Sequence, residues 1–534
     1  VSSIQTRTMI AGLLACLAAA SVSAQTPATR PSGATDAGRA QTLPSRATNE
    51  STAGRPVVFP AGWPHAAGRA AVSAPRAMVA TDAPLASEVG VEILRRGGNA
   101  VDAAVAVAFA LAVVYPEAGN VGGGGYMVIR LANGRTAAID YREMAPKAAR
   151  REMFIDSTGA VTNDSRVGPL ASGVPGAVAG LLAAHGRYGT LSLATVMAPA
   201  IRLADRGFAV DDRLAGSLAG NSAQIAPFAG AAVFLPDGQG LREGTTLRQP
   251  ALARTLRAVA ARGRRGFYDG PVAEAWTSEL RALGGIITMD DLERYRPAWR
   301  TPIRSTYRGF TVLSMPPSSS GGVTMTETLN ILEGFGSLPS YGSTGWAHLL
   351  ASASQRAFID RNSKLGDPAF VRVPLAQLTN KRYAAGLRAT IDRTRATPTA
   401  ALTPPLREGS QTTHASVVDA KGNAVAMTTT INDLYGSGVY LSSGGFFLND
   451  EMDDFTSKPG VPNMYGLVQG EANAIQPGKR MLSAMTPTIV LDRRGRLLLV
   501  LGSRGGPRII SSVTQVALNV MEYGMSLADA MSAP

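Results

Sequence analysis

The chain has 534 residues, 45% hydrophobic and 17% charged, with ample length and apolar content for a large core or two units. Its formal charge of +13 comes from basic residues scattered among acidic ones. With no Lys/Arg run and no aromatic-basic interleaving, this is a solvated basic surface, and nucleic acid is excluded as a partner. The four histidines, His65, His185, His348 and His414, do not pair at metal-ligand spacing. No metal and no organic cofactor is expected.

In chain order, an apolar run over residues 9–20 follows Arg7 and ends in Val22-Ser23-Ala24, a small-residue cleavage signal. The run is too short to span a membrane and reads as a signal peptide over residues 1–24, which implies a periplasmic or secreted protein. Cys16, the only cysteine, lies in this run, so its removal leaves neither a disulfide nor a cysteine nucleophile. Leu13-Leu14-Ala15-Cys16 also resembles a lipoprotein signal, the second reading. Residues 25–65 are rich in Pro, Ala, Thr, Ser, Gly and Arg and read as a flexible leader.

Order is expected from a strand at Ala77-Met78-Val79-Ala80. Helical spacing follows over residues 83–94 and stops at Gly97-Gly98. Residues 101–114 are apolar almost all round, and at this length predict a buried helix. Gly122-Gly123-Gly124-Gly125 enters a strand over residues 126–130, and Asn133-Gly134 turns it into a return strand. That strand ends in Asp140-Tyr141-Arg142-Glu143-Met144-Ala145-Pro146. The glycine run precedes a strand and lacks the Lys-Ser/Thr of a nucleotide loop, so it reads as close backbone packing. Residues 166–300 alternate helices with loops, and Ser172-Gly173-Val174-Pro175-Gly176 is assigned to packing. Met315-Pro316-Pro317-Ser318-Ser319-Ser320-Gly321-Gly322 precedes a helix over residues 324–332. No Gly-x-Ser-x-Gly elbow exists, which argues against a serine hydrolase. Residues 363–411 turn polar and basic and read as an exposed segment.

The most informative stretch follows. Gln411-Thr412-Thr413-His414-Ala415-Ser416-Val417-Val418 and Ala424-Val425-Ala426-Met427-Thr428-Thr429-Thr430 flank Lys421-Gly422-Asn423, a predicted β-hairpin that runs on to Asn432. Asp450-Glu451-Met452-Asp453-Asp454 comes shortly after. Hydroxyl nucleophile, polar orienters and an acidic cluster thus fall within about forty residues. Next come Lys458-Pro459-Gly460-Val461-Pro462-Asn463-Met464-Tyr465-Gly466-Leu467 and Arg480-Met481-Leu482-Ser483-Ala484. The end holds a buried strand over residues 497–501, then Gly502-Ser503-Arg504-Gly505-Gly506. An amphipathic helix with Ile509, Val513, Val516 and Val520 on one face closes the chain. Taken alone, a Thr-Thr pair in a strand is more often a plain β-former, and an Arg ending a strand is solvated. Gly505-Gly506 alone is a tight turn, and Asp453-Asp454 alone is surface, so Asp453 is given no role.

The Gln411–Asp454 stretch is similar to the processing site of the gamma-glutamyltranspeptidases, members of the N-terminal nucleophile hydrolases. The resemblance covers about residues 73–530 and includes the glycine run with its Arg-Glu-Met-Ala-Pro continuation and the Ser172 and Met315 segments. It implies an α+β fold, a four-layer αββα sandwich. It also implies a cut between Gln411 and Thr412, giving a large subunit of residues 66–411 and a small subunit of residues 412–534 that stay together as a heterodimer. The freed Thr412 would be the nucleophile and Gly505 and Gly506 the oxyanion hole. Arg142 and Ser483 would hold a substrate α-carboxylate, and Asp454, with Asn432 and Glu451, its α-ammonium. Thr430 would orient Thr412, and Tyr465 would cover the site from a lid loop. The implied donors are glutathione and other γ-glutamyl compounds, and the acceptors water, amino acids or dipeptides.

Two departures stand out. The family has Ser-Ser where this chain has Ser483-Ala484, and it continues for several dozen residues past the position of Pro534, so one sheet is expected to be incomplete. Two other readings remain. One is a glutaryl or cephalosporin acylase of the same fold, against which Asp454 and Asn432 argue because a glutaryl group has no ammonium. The other is a secreted binding protein that has lost processing, against which the intact Thr412-Thr413-His414 argues.

Overall fold

The computed structural model describes residues 71–398 and 411–534. The expected signal peptide and leader lie outside the described residues, as does Pro404-Pro405.

Ten strands build two sheets. They are β1 (Met78–Thr81), β2 (Gly124–Arg130), β3 (Thr136–Asp140), β4 (Ala298–Arg300), β5 (Ile303–Tyr307), β6 (Phe310–Ser314), β7 (Thr413–Val418), β8 (Ala424–Thr430), β9 (Thr488–Leu491) and β10 (Leu497–Leu501). The first sheet has the order β1-β7-β8-β2-β3-β4 and the second β10-β9-β6-β5. All their pairings are antiparallel. At the β7–β8 turn, Asp419 accepts from the amides of Lys421 and Asn423, and Gly422 takes φ 84°, as the tight reversal requires.

Alternation sorts the first sheet's side chains into two cores. Met127, Ile129, Ile139, Val417, Val425 and Met427 face a helical layer led by α1 (Pro84–Arg95) and α2 (Ala100–Val114). Val128, Ala138, Ala424 and Ala426 face the second sheet and share one buried cluster with its Val312, Leu313, Ile489 and Val490. The far side of that sheet is covered by α3 (Gly321–Glu333), α4 (Thr344–Lys364) and α5 (Arg508–Met521). This is the expected αββα layering. β8 is buried at all seven positions because both its faces are covered. The α2 helix is buried at every residue, and its start is held by a capping box. The Asn99 side chain accepts from Val101 and Asp102, and the Asp102 carboxylate accepts from the Asn99 amide at 2.9 Å.

Three expectations are corrected. The return strand stops at Asp140, Tyr141 makes the last exchange with Gly125, and beyond it Met144 bonds Val174 and Ala145 N–H donates to the Lys479 carbonyl instead. Residues 497–501 are not a buried strand but the edge of the second sheet, with Leu498 39% exposed. The segment from residue 363 is not simply exposed polar chain, since it carries helices Leu375–Leu378 and Lys381–Ala389 and buries Leu378 and Ala384. Among the described residues, no helix is long and apolar enough to cross a membrane, and no cluster of His, Cys, Asp or Glu could hold a metal ion.

Candidate active site

The hairpin β7–β8 brings Thr412 and Thr430 side by side. Thr413 pairs with Thr429, so the preceding and following residues meet at the end of the ladder. Thr412 Oγ1 donates to Thr430 Oγ1 at 3.2 Å, and the Thr430 oxygen also accepts from the Asn432 amide at 2.9 Å. Thr412 is buried and has φ 80°, a left-handed conformation that a β-branched residue adopts only under constraint. The constraint is visible on both sides. Thr413 Oγ1 donates to Asp82 at 2.8 Å, and the Gln411 side chain donates to Asp433 at 2.9 Å. The Gln411 carbonyl accepts from the Gly505 amide at 2.9 Å.

The loop carrying that amide rests on the hairpin. A Cβ on Gly502 would lie 2.1 Å from His414 Nδ1, so only glycine lets the loop sit on this ring. His414 bonds Thr428 Oγ1 at 2.8 Å and Ser416 Oγ at 3.1 Å, and burial pushes it down to about 3, so it stays neutral.

One narrow cavity, with about 20 Å³ of water-sized space, is walled by Thr412, Thr430, Asn432, Asp454, Tyr465, Ser483, Ala484, Gly506 and Arg142. Nine of the residues singled out in the sequence therefore converge. Gly505 stands just behind, through its bond to Gln411, and Glu451 behind Arg142. A larger cavity of about 330 Å³ opens behind the loop that carries Tyr465, but Thr412 does not line it. Tyr465 narrows the cavity lined by Thr412. Its hydroxyl donates to Asn432 Oδ1 at 2.9 Å, and its ring lies against Gly506.

The far end of the cavity is a buried charge cluster. Arg142, 1% exposed, pairs with Glu451 at 2.5 Å through Nη1 and with Asp454 through Nη2, and approaches Glu143 at 3.5 Å. Burial works against its charge, but Glu451, Asp454 and Glu143 hold its pKa up. Burial also raises the carboxylates, with Glu143 pushed up to about 7 and Asp450, Glu451 and Asp454 moved in the same direction. Arg142 opposes the rise at Asp454, and Arg361 does so next.

Asp453 is corrected. It is not solvated surface but 5% exposed, accepting from Ser165 Oγ at 2.7 Å and from the Met464 amide at 3.0 Å, so it anchors the lid loop. Arg361 also lines the cavity. Nothing in its helical neighbourhood distinguishes it in the sequence.

The sequence model of the gamma-glutamyltranspeptidase family matches residues 86–534. The chain belongs to the gamma-glutamyltranspeptidase family. A glutathione hydrolase proenzyme of Pseudomonas sp. (strain A14) is 48% identical over 476 residues, 88% of this chain and 83% of the relative. An acylase ACY 1 proenzyme of Pseudomonas sp. (strain SE83) is 43% identical over 473 residues, 86% and 82% of the two chains. A crystal structure of cephalosporin acylase from Bacillus halodurans superposes with a TM-score of 0.76 at 28% identity, covering 88% of this chain and 84% of that one. The gamma-glutamyltranspeptidase fold and the layering described above agree.

Proposed function

We propose that the chain is an exported, self-processing glutathione hydrolase and γ-glutamyltransferase. The observation that carries this reading is the Gly505 amide on the Gln411 carbonyl, beside the Thr412 hydroxyl. The carbonyl to be attacked is already polarised by a backbone donor on the loop expected to form the oxyanion hole. Thr412 Oγ1 adds to this carbon, the Gln411–Thr412 C–N bond breaks to give an ester, and water releases Gln411. The φ of Thr412 is defined by the bond that is cut, so cleavage releases a strain of about 1–3 kcal/mol.

The new α-amino group titrates near ~8, so a useful fraction is neutral at pH 7 and can accept the Thr412 hydroxyl proton. With Gln411 gone, the Gly505 and Gly506 amides are free to receive the oxyanion of a substrate amide. The acyl group passes to Thr412, the amine leaves with a proton, and water or an acceptor amine takes the acyl group from the ester. Donor choice follows from the charged end, where Asp454 with Asn432 suits an α-ammonium and Arg142 with Ser483 an α-carboxylate through paired hydrogen bonds. Glu451 supports this end through Arg142. The products of the cut, residues 66–411 and 412–534, remain one heterodimer, placed in the periplasm or outside the cell by the signal peptide.

The similarity to acylase ACY 1 keeps glutaryl amides as a second substrate reading. Mass spectrometry of the purified protein, reading both new termini, tests the cut. Hydrolysis of γ-glutamyl p-nitroanilide against glutaryl p-nitroanilide tests the donor. An intact chain, or a preference for the glutaryl amide, would overturn the proposal.

A further inference from the structure

The donor cavity has a second buried guanidinium that none of the roles above uses. Arg361, on α4, is 1% exposed and lines the cavity together with Thr412, Asp454, Ser483 and Ala484. Its Nε donates to Ser320 Oγ at 2.9 Å, and its Nη1 to Asn362 Oδ1 at 2.9 Å and Gln469 Oε1 at 3.4 Å. Its Nη2 makes no hydrogen bond to a described residue, and the side chain makes no ion pair within the described residues. The two other deeply buried arginines nearby differ, since Arg142 is met by Glu451 and Asp454, and Arg480 by Asp140.

Asp454 acts on Arg361 only from beyond ion-pair distance, and a buried cation that no carboxylate pairs directly is costly and persists where a ligand supplies the anion. Resting on the γ-glutamyl reading above, we infer that Arg361 is a second cationic contact for the donor's α-carboxylate, shared with Arg142. The geometry suits this in two ways. Both η-nitrogens of Arg142 are met by protein carboxylates, so an arriving carboxylate must compete with Glu451 and Asp454 there, whereas Nη2 of Arg361 makes no ion pair within the described residues. Arg361 is also coupled to Ser483. It holds Ser320, whose amide and hydroxyl both donate to the Ser483 carbonyl, at 2.8 and 2.6 Å. With Ala484 carrying no hydroxyl, the cavity still offers the carboxylate two cations and one serine. The ligand class is a zwitterionic α-amino acid linked through its side chain, with Asp454 freed from Arg142 to take the ammonium.

The test uses the mature enzyme and competitive inhibition of γ-glutamyl p-nitroanilide hydrolysis by L-glutamate and by its α-amide, which keeps the shape but not the charge. In Arg361→Met the inhibition constant of glutamate should rise by about tenfold or more, while that of the α-amide moves by less than about twofold. kcat should stay within about twofold, because the carboxylate is remote from the reacting carbonyl. Arg361→Lys keeps the charge and should restore part of the glutamate affinity. It also serves as the test if the methionine variant fails to process. A parallel rise for both inhibitors would mean that Arg361 only supports the scaffold, and an unchanged constant for glutamate would remove it from the site. Either result leaves the γ-glutamyl reading standing. A wild-type enzyme that does not hydrolyse the anilide overturns that reading instead.

Discussion

The two ends of the donor cavity are built on opposite principles. At the Thr412 end, the direct partners of Thr412, Thr430 and Gly505 are hydroxyls, carbonyls and backbone amides, the carboxylates of Asp82 and Asp433 bond only the neighbouring Thr413 and Gln411, and the nearby histidine is held neutral. At the other end, Arg142, Glu143, Glu451 and Asp454 crowd formal charges into a buried space. Neutral dipoles set by the fold need no counter-ion and do not reorganise during the reaction. Buried charges are tolerated only in mutual contact, so they exchange partners when a ligand arrives. The Thr412 end should thus be all-or-none toward substitution, and the charged end graded and substrate-dependent.

The sharpest way to break that contrast is Thr412→Ala. It should leave one uncut chain on a denaturing gel and no amidase activity, whereas Thr412→Ser should still process, more slowly. A cut and active alanine variant would remove Thr412 as the nucleophile. At the other end, Asp454→Asn keeps shape and loses charge. A charge-assisted contact of ~1.5–3 kcal/mol predicts at least a roughly tenfold loss in kcat/KM for a γ-glutamyl anilide. The glutaryl anilide should scarcely change, and equal losses on both would remove Asp454 from ammonium recognition.

His414 sharpens the neutral side of the comparison. A histidine titrates near ~6.5 when unfolded, so between that value and about 3 the unfolded chain binds more protons than the folded one. The stability tied to neutral His414 is complete above that window and is lost as pH falls through it, by at most ~1.4 kcal/mol per pH unit. Urea unfolding of wild type and His414→Gln between pH 7 and pH 4 should show the flatter slope in the variant. The smallest effect is expected from Ala484→Ser. One neutral hydrogen bond contributes ~0.5–1.5 kcal/mol, so KM for a γ-glutamyl donor should fall severalfold at most with kcat little changed. A donor without the α-carboxylate should gain nothing. A KM that stays or rises would mean that Ala484 does not face the carboxylate.

Much of the fold was legible because its strongest signals are local. The β7–β8 hairpin is announced by its turn and its alternation, and α2 by an apolar run too short for a membrane. The cavity residues that the sequence picked out came from resemblance to a family, since a Thr pair or an Arg at a strand end carries no chemistry by itself. What was missed depends on contacts between distant segments. Asp453 looks like solvated surface until Ser165 and Met464 are folded onto it. Arg361 looks like any helical arginine until Ser320 and Gln469 close around it. Residues 497–501 look like a core strand because an edge and a centre share the same composition, and only the sheet order tells them apart.

The sheet order has one more consequence. The hairpin β7–β8 lies between β1 and β2, so a small subunit beginning at Thr412, as proposed, would contribute the middle of a ladder whose flanks precede the proposed cut. Two fragments interleaved in this way are not partners in a dilution-dependent equilibrium. Neither could leave without tearing three rows of backbone hydrogen bonds, β1–β7, β8–β2 and β9–β6, and neither flank has its native neighbour alone. Polypeptides encoded separately at this junction would have to co-fold, threading a hairpin into a sheet that cannot close without it. Making one continuous chain and cutting it afterwards avoids that search.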